Sequence, residues 1–412
     1  MKKPTLTLKP ERPAYGGIAI ARWQGKVVMI KGAIPDETVE VCIDEEKKDY
    51  STGHAVKVLE PSPDRVRPEC GHFGICGGCQ LQYISYSRQV SLKEEVLKDC
   101  LARIAGMVIM LDQPLTGEPW NYRHRGQFKV SHGKVGLFRE KSHEVTDIGS
   151  CPLMTARVNE YYGKARTLIM GTDVRELHIT CDDGALALIK ARSGHGANWD
   201  GLGKGLIQSG FSGAAVELHG GRLMGYGQGH IAFDLLGLKY TVSPASFFQS
   251  NWGLNQSLVK LVMDRLQPLA GRSVLDLYSG AGNFSLPLAV HAGRVTAVEE
   301  NPAAVSDGER NAVQNEIKNC TFIRSNAASI EVAGPVDILV TDPPRTGLAE
   351  GVADKVLGLA PDRIAYISCN PSTLARDLKK LAVGYIVESV RMVDFFPQTY
   401  HIESLAFLRK KA

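Results

Sequence analysis

The sequence has no long apolar run. No stretch of its 412 residues approaches the length needed to cross a bilayer, so no membrane-spanning helix is expected. No apolar segment follows the basic start Met-Lys-Lys-Pro-Thr-Leu, so no signal peptide is expected either, and a cytoplasmic location follows. A strong charge excess is also missing. Lys and Arg number 48 against 44 Asp and Glu, for a net charge of +4, so any surface that meets a polyanion must be local. No solenoid-length repeat or low-complexity segment is present. The nine cysteines are an odd number, which leaves at least one unpaired within the chain. Without an export signal they read as cytosolic thiols or metal ligands, and a disulfide framework is not expected.

What is present divides into three segments. Residues 1–62 read as a small β-barrel, with strand-like runs Gly17–Arg22, Lys26–Ile30, Thr38–Ile43 and His54–Leu59 separated by turn signals. Pro61, Pro63 and Pro68 form a stiff connector. Residues 63–238 open on a cysteine-rich knot, continue into a helix over Ser87–Ile104, and then read as mixed strands and glycine-rich turns. Residues 239–412 alternate strands and helices. Ser273–Leu277, Arg294–Val298, Cys320–Arg324, Val336–Thr341 and Ile364–Ser368 read as strands, and Asp307–Asn319 as a helix. That alternation predicts an α/β, doubly wound parallel sheet of Rossmann-like type.

Ligands of such sheets bind at the carboxyl ends of the strands. The first end here, Leu277-Tyr278-Ser279-Gly280-Ala281-Gly282-Asn283, is a tight glycine turn of the kind that binds S-adenosylmethionine, and Glu299 closes the next strand at the right place to accept from ribose hydroxyls. A dinucleotide site would share both features. Asp342-Pro343-Pro344-Arg345 separates the two, because methyltransferases acting on planar bases often carry such an element at the fourth strand. Cys369 follows in Ile-Ser-Cys-Asn-Pro-Ser-Thr-Leu. Methyl transfer to oxygen or nitrogen needs no thiol, whereas uracil carbon 5 becomes nucleophilic only after a thiolate adds to carbon 6. Cys369 is therefore the candidate nucleophile, with Arg376 or a helix N-terminus favouring its thiolate. Glu403, opening the last strand, is the candidate base, with His401 as the alternative.

Together these motifs resemble the RNA 5-methyluridine methyltransferase family across essentially the whole chain, most densely over Cys70–Tyr83 and from Ser246 onward. The resemblance implies S-adenosylmethionine as methyl donor, held by Gln249, Tyr278, Gly280, Asn283, Glu299, Asn326 and Asp342. It implies Cys369 as nucleophile, Glu403 as proton acceptor and Asp342 beside the target base. The first segment resembles the TRAM domain, an OB-like RNA-binding module. Transfer-RNA-specific members typically lack both this module and the cysteine cluster, so the partner implied is structured RNA, ribosomal in preference to transfer RNA; the enzyme itself is expected to be a monomer.

Cys70, Cys76 and Cys79 place three thiols in ten residues, and glycines at 71, 74, 77 and 78 let the backbone wrap tightly. Soft thiolates at this density suit an iron–sulfur cluster or zinc. Cys151 is the candidate fourth ligand, and the resemblance implies a 4Fe-4S cluster in a central α+β domain, with zinc as the alternative. The spacing Cys-x3-Cys-x2-Cys of radical chemistry is absent. Arg123, Arg125 and Lys129, in and after Trp-Asn-Tyr-Arg-His-Arg, are candidate RNA contacts. Two other readings stay open: an amino methyltransferase of adenine or guanine, which would need no thiol, and a non-catalytic RNA-binding iron–sulfur protein.

Overall fold

Strands buried on both faces read as near-continuous apolar runs, and the C-terminal part of the chain is built from them. The computed structural model describes residues 5–192, 198–246 and 248–412. Ser273–Leu277, Ile338–Thr341 and Arg363–Ser368 are almost wholly buried. They join an eight-stranded sheet in the order Cys320–Arg324, Arg294–Glu299, Ser273–Leu277, Ile338–Thr341, Arg363–Ser368, Glu403–Lys410, Tyr385–Val393, Asp112–Leu115. The first five strands are parallel. Chain order runs outward in both directions from Ser273–Leu277, which makes the carboxyl end between it and Ile338–Thr341 the switch point.

Two features of this sheet bear on the site. Glu403–Lys410 runs antiparallel to Arg363–Ser368, with Ser368 opposite Ser404. Glu403, the first residue of one strand, and Cys369, the residue after the other, therefore meet at one edge. The expected helix also begins earlier than the sequence pattern places it, at Pro302–Gln314. Asn301 accepts from the backbone N–H groups of Ala303 and Ala304, and Pro302 occupies the first turn, so cap and proline fix the start.

The N-terminal segment forms a six-stranded sheet, ordered Thr5–Leu8, Thr38–Glu46, Tyr50–Glu60, Lys26–Lys31, Ile18–Trp23, Arg12–Ala14. Its outermost strands do not pair with each other, so among the described residues the sheet is not the closed barrel expected. Those strands are only four and three residues long, and Pro13 lacks an N–H to donate. The middle segment carries a seven-stranded sheet from Val145–Asp147 to Leu223–Gly227, packed against helices Ala156–Ile169 and Trp199–Gln208. Helix Tyr86–Cys100 and strand Asp112–Leu115, though they precede this sheet in the chain, join the C-terminal sheet and its core. No helix among the described residues is long and apolar enough to cross a membrane.

Candidate active site

At the switch point a cavity of about 580 Å³ opens, a volume that suits a nucleoside-sized ligand with room for a second ring. Its floor is the glycine turn. Tyr278, Gly280 and Gly282 all take positive φ (63°, 55° and 91°). A Cβ on Gly282 would lie 2.8 Å from Leu286 and 2.9 Å from Phe322, so glycine is required there on two counts. Glu299 holds the turn in place, accepting from Gly280 N–H (3.0 Å) and Asn301 N–H (2.7 Å). Asn283 lines the cavity with its amide locked in a reciprocal pair with Asn255, at 2.7 and 3.0 Å. Asn255 is a residue that the motif gave no reason to single out.

Several buried polar atoms at this floor have no partner: Asp276 Oδ1, Ser279 Oγ and Thr341 Oγ1. Burial pushes the Asp276 carboxyl up to about 7. Unpartnered acceptors and hydroxyls around an open glycine turn fit a polar ligand such as S-adenosylmethionine. Gln249 lines the same cavity. Asn326 does not. It is exposed, its side chain accepts from Ala328 N–H, and its neighbours Ser325 and Ala327 face the cavity instead.

The far wall carries Asp342, Pro343, Pro344, Arg345, Cys369, Phe396 and Glu403. Glu403 is buried, and burial together with the Asp342 carboxylate raises its pKa, with Arg345 opposing. Asp342 is likewise raised by burial. Two carboxyls so placed share one field and titrate as a pair. The Cys369 thiol is pushed up to about 12, by burial first, then by Glu403 and Asp342, and Arg345 pulls it down. The cation facing the thiol is thus Arg345. Arg376, expected there from sequence, turns away to Asp377 and to the carbonyls of Thr346 and Leu348. Cys369 also precedes the N-terminus of helix Pro371–Leu381, whose cap Asn370 donates to Arg345 O at 3.2 Å and so laces the two loops together. His401 is driven down to about 4 by burial, then by nearby cations, and packs against Tyr400 and Phe396 as a neutral ring. A thiol, a high-pKa carboxylate and a cation around one planar slot can add to an activated ring and take up a proton.

The tRNA (Uracil-5-)-methyltransferase family profile matches residues 234–337 and 334–411, and the TRAM domain profile matches residues 5–56. An uncharacterized RNA methyltransferase of Aquifex aeolicus is 34% identical over 429 residues, covering 100% of both chains. The 23S rRNA (uracil(1939)-C(5))-methyltransferase RlmD of Shewanella amazonensis is 34% identical, covering 97% of this chain and 95% of its own. The crystal structure of Pyrococcus abyssi tRNA (uracil-54, C5)-methyltransferase with S-adenosyl-L-homocysteine has the same fold, with TM-score 0.77 at 24% identity, covering 97% of this chain and 100% of that one.

The chain belongs to the RNA uracil-5-methyltransferase family. It is an S-adenosylmethionine-dependent enzyme that methylates carbon 5 of uracil in RNA, and it carries a TRAM domain.

In this RNA methyltransferase the N-terminal segment packs, through Tyr15, against the loop that leads into Glu403. The Tyr15 ring stacks edge-on to Tyr400 at 5.5 Å, and the phenol feels the charges of Arg345, Cys369 and Glu403. The sequence showed Tyr15 only as one of few aromatics in its segment. The RNA-contact candidates fare unevenly. Arg125 is buried and donates to Ser246 O (2.6 Å) and Pro244 O (3.1 Å), so its guanidinium braces the segment before Gln249 and is not offered to RNA. Lys129 pairs with Glu176 at 3.0 Å. Arg123 lies over the Phe396 ring at 5.9 Å, one wall of the active site.

Behind Arg123 is a second cavity of about 250 Å³, lined by Cys70, His72, Cys76, Cys79 and Cys151. Burial raises the thiols of Cys76 and Cys151 and pushes Cys79 up to about 12, and each also feels other thiols of the set. Four soft donors lining one cavity are of the chemical kind that a metal cluster takes. Among the described residues no group of three or more His, Cys, Asp or Glu is drawn together to hold a metal ion.

Proposed function

We propose that the enzyme methylates uridine in 23S ribosomal RNA, with Cys369 as nucleophile and Glu403 as base. The observation that carries the roles is the strand register, which brings Cys369 and Glu403 to one edge beside Asp342. The Cys369 thiolate, favoured by Arg345 and the helix N-terminus, adds to carbon 6 and leaves carbon 5 electron-rich. S-adenosylmethionine supplies the electrophilic methyl group. The Glu403 carboxylate then takes the carbon 5 proton. That electron pair restores the ring double bond and expels the Cys369 thiolate. Asp342 lies where it would meet the base edge. Gln249, Tyr278, Gly280, Asn283 and Glu299 would hold the donor, and Asn326 would act only through its neighbours.

We assign RNA docking to residues 1–62, cluster binding to 63–238 and catalysis to 239–412. Cys70, Cys76, Cys79 and Cys151 would hold a 4Fe-4S cluster. The all-thiol donor set supports the cluster, with zinc as the alternative. Full-length similarity to a ribosomal enzyme supports the RNA class. Mapping 5-methyluridine in ribosomal and transfer RNA from a deletion strain tests it. Loss of one 23S position, restored by the wild-type gene and not by a Cys369→Ala copy, is expected. Loss only from transfer RNA would overturn the ribosomal assignment.

A further inference from the structure

Residues 394–402 link strand Tyr385–Val393 to Glu403 without regular structure, yet Asp394 to Gln398 and Tyr400 are all hydrogen-bonded from elsewhere in the chain. Asp394 accepts from Lys93 Nζ at 2.6 Å, and the same ammonium donates to Phe396 O. Asn251 Nδ2 donates to Phe395 O, and Tyr122 OH to Pro397 O. The densest attachment is at Gln398. Its carbonyl accepts from both Gln80 N–H and Leu81 N–H at 3.0 Å, immediately after Cys79. Its N–H donates to Gln89 Oε1 at 3.0 Å, and its Oε1 accepts from Gln89 Nε2 at 2.9 Å.

Gln89 is fully buried on helix Tyr86–Cys100. Its remaining amide hydrogen goes to Ile84 O, so both of its donors are used. Gln398 has φ +67°, a conformation that a non-glycine residue keeps only when its surroundings impose it. The two-point grip of Gln89, backed by the two N–H groups of residues 80 and 81, is what imposes it. Gln89 touches neither cofactor cavity nor thiol, and the chain it grips runs directly into Glu403.

We infer that Gln89 is a positioning residue for the proton-removal step, holding Gln398 so that Glu403 faces carbon 5 of the adduct. This rests on the reading of Glu403 as base. Methyl transfer depends on Cys369 and the glycine turn, which the grip does not reach. Proton removal depends on the end of this loop, so loosening it slows the second step selectively.

The test is single-turnover kinetics of the full-length enzyme with S-adenosylmethionine and total RNA from the deletion strain, which holds the target whichever RNA carries it. Covalent protein–RNA adduct is followed on denaturing gels. Gln89→Ala is expected to form adduct at close to the wild-type rate and to release it on the order of tenfold more slowly, with S-adenosylmethionine affinity unchanged. Gln398→Gly is expected to do the same from the other side of the grip, since it removes the Oε1 acceptor while easing the positive φ; it decides the matter if Gln89→Ala does not fold. Equal slowing of formation and release, or release at the wild-type rate, would overturn the inference. Glu403→Gln serves as the reference. If that variant does not retain the adduct, the base assignment itself fails, whatever Gln89 does.

Discussion

At the scale of single residues, the active site is a set of groups held away from their ordinary protonation. Glu403 has a folded pKa above the roughly 4.3 of an unfolded glutamate, because burial and Asp342 penalise its charge. Between those two values the folded state binds more protons than the unfolded one, so stability falls as pH rises through that window. Glu403→Gln removes the penalty. We expect the variant to be more stable than wild type by roughly 1–3 kcal/mol near pH 8 and by little near pH 4, measured by thermal unfolding, while activity is lost. Equal stability at both pH values would show that the carboxylate is not strained. Activity should follow the opposite limb. The proposed mechanism needs an ionised Glu403 and a Cys369 thiolate, and both pKa values are raised, so kcat/KM is expected to climb from about pH 6 to about pH 9. A flat profile would contradict that arrangement.

At the scale of elements, helix Tyr86–Cys100 is the brace of the catalytic loop. Lys93 and Asp394 are almost fully buried, so each charge depends on the other. Lys93→Met is expected to cost about 3–5 kcal/mol by leaving Asp394 unpaired, and the double variant with Asp394→Asn to recover part of it, read by thermal melts. The same scale shows what was legible in sequence. Strand 273–277 and, to within two residues, strands 338–341 and 363–368 could be read because strands buried in a parallel sheet are apolar runs with clear ends. Tyr385–Val393 could not, since Glu388, Ser389 and Arg391 break its apolar run without a regular period and it carries an irregularity between Val387 and Ser389. Asp112–Leu115 contains a proline and pairs with a strand far along the chain, so nothing local announces it. Motif spacing named Cys369, Glu403, Asp342 and the glycine turn. It could not tell that Arg345 and not Arg376 faces the thiol, that Arg125 is buried, or that Asn326 points outward, because each depends on how two distant loops pack.

At the scale of the molecule, all three parts of the chain meet at the loop that leads into Glu403. The TRAM segment brings Tyr15, the cysteine-bearing segment brings Gln80 and Arg123, and the C-terminal sheet brings thiol and base. An aromatic ring beside Tyr400, close enough to feel the charges of Arg345 and Glu403, suits stacking on a nucleotide beside the target. Tyr15→Ala is therefore expected to raise KM for RNA about tenfold, within the range of one lost base–aromatic stack, and to leave S-adenosylmethionine binding unchanged. An unchanged KM would remove Tyr15 from the RNA path.

The central claim is that Cys369 bonds to carbon 6 of a uracil. RNA carrying 5-fluorouridine tests it most directly, because fluorine cannot leave carbon 5 as a proton does and the adduct cannot resolve. Incubation with S-adenosylmethionine, followed by digestion and mass analysis, should find methylated fluorouridine on the peptide containing Cys369, and none with Cys369→Ala. Methylated RNA released free of protein, or the adduct on another cysteine, would contradict the account.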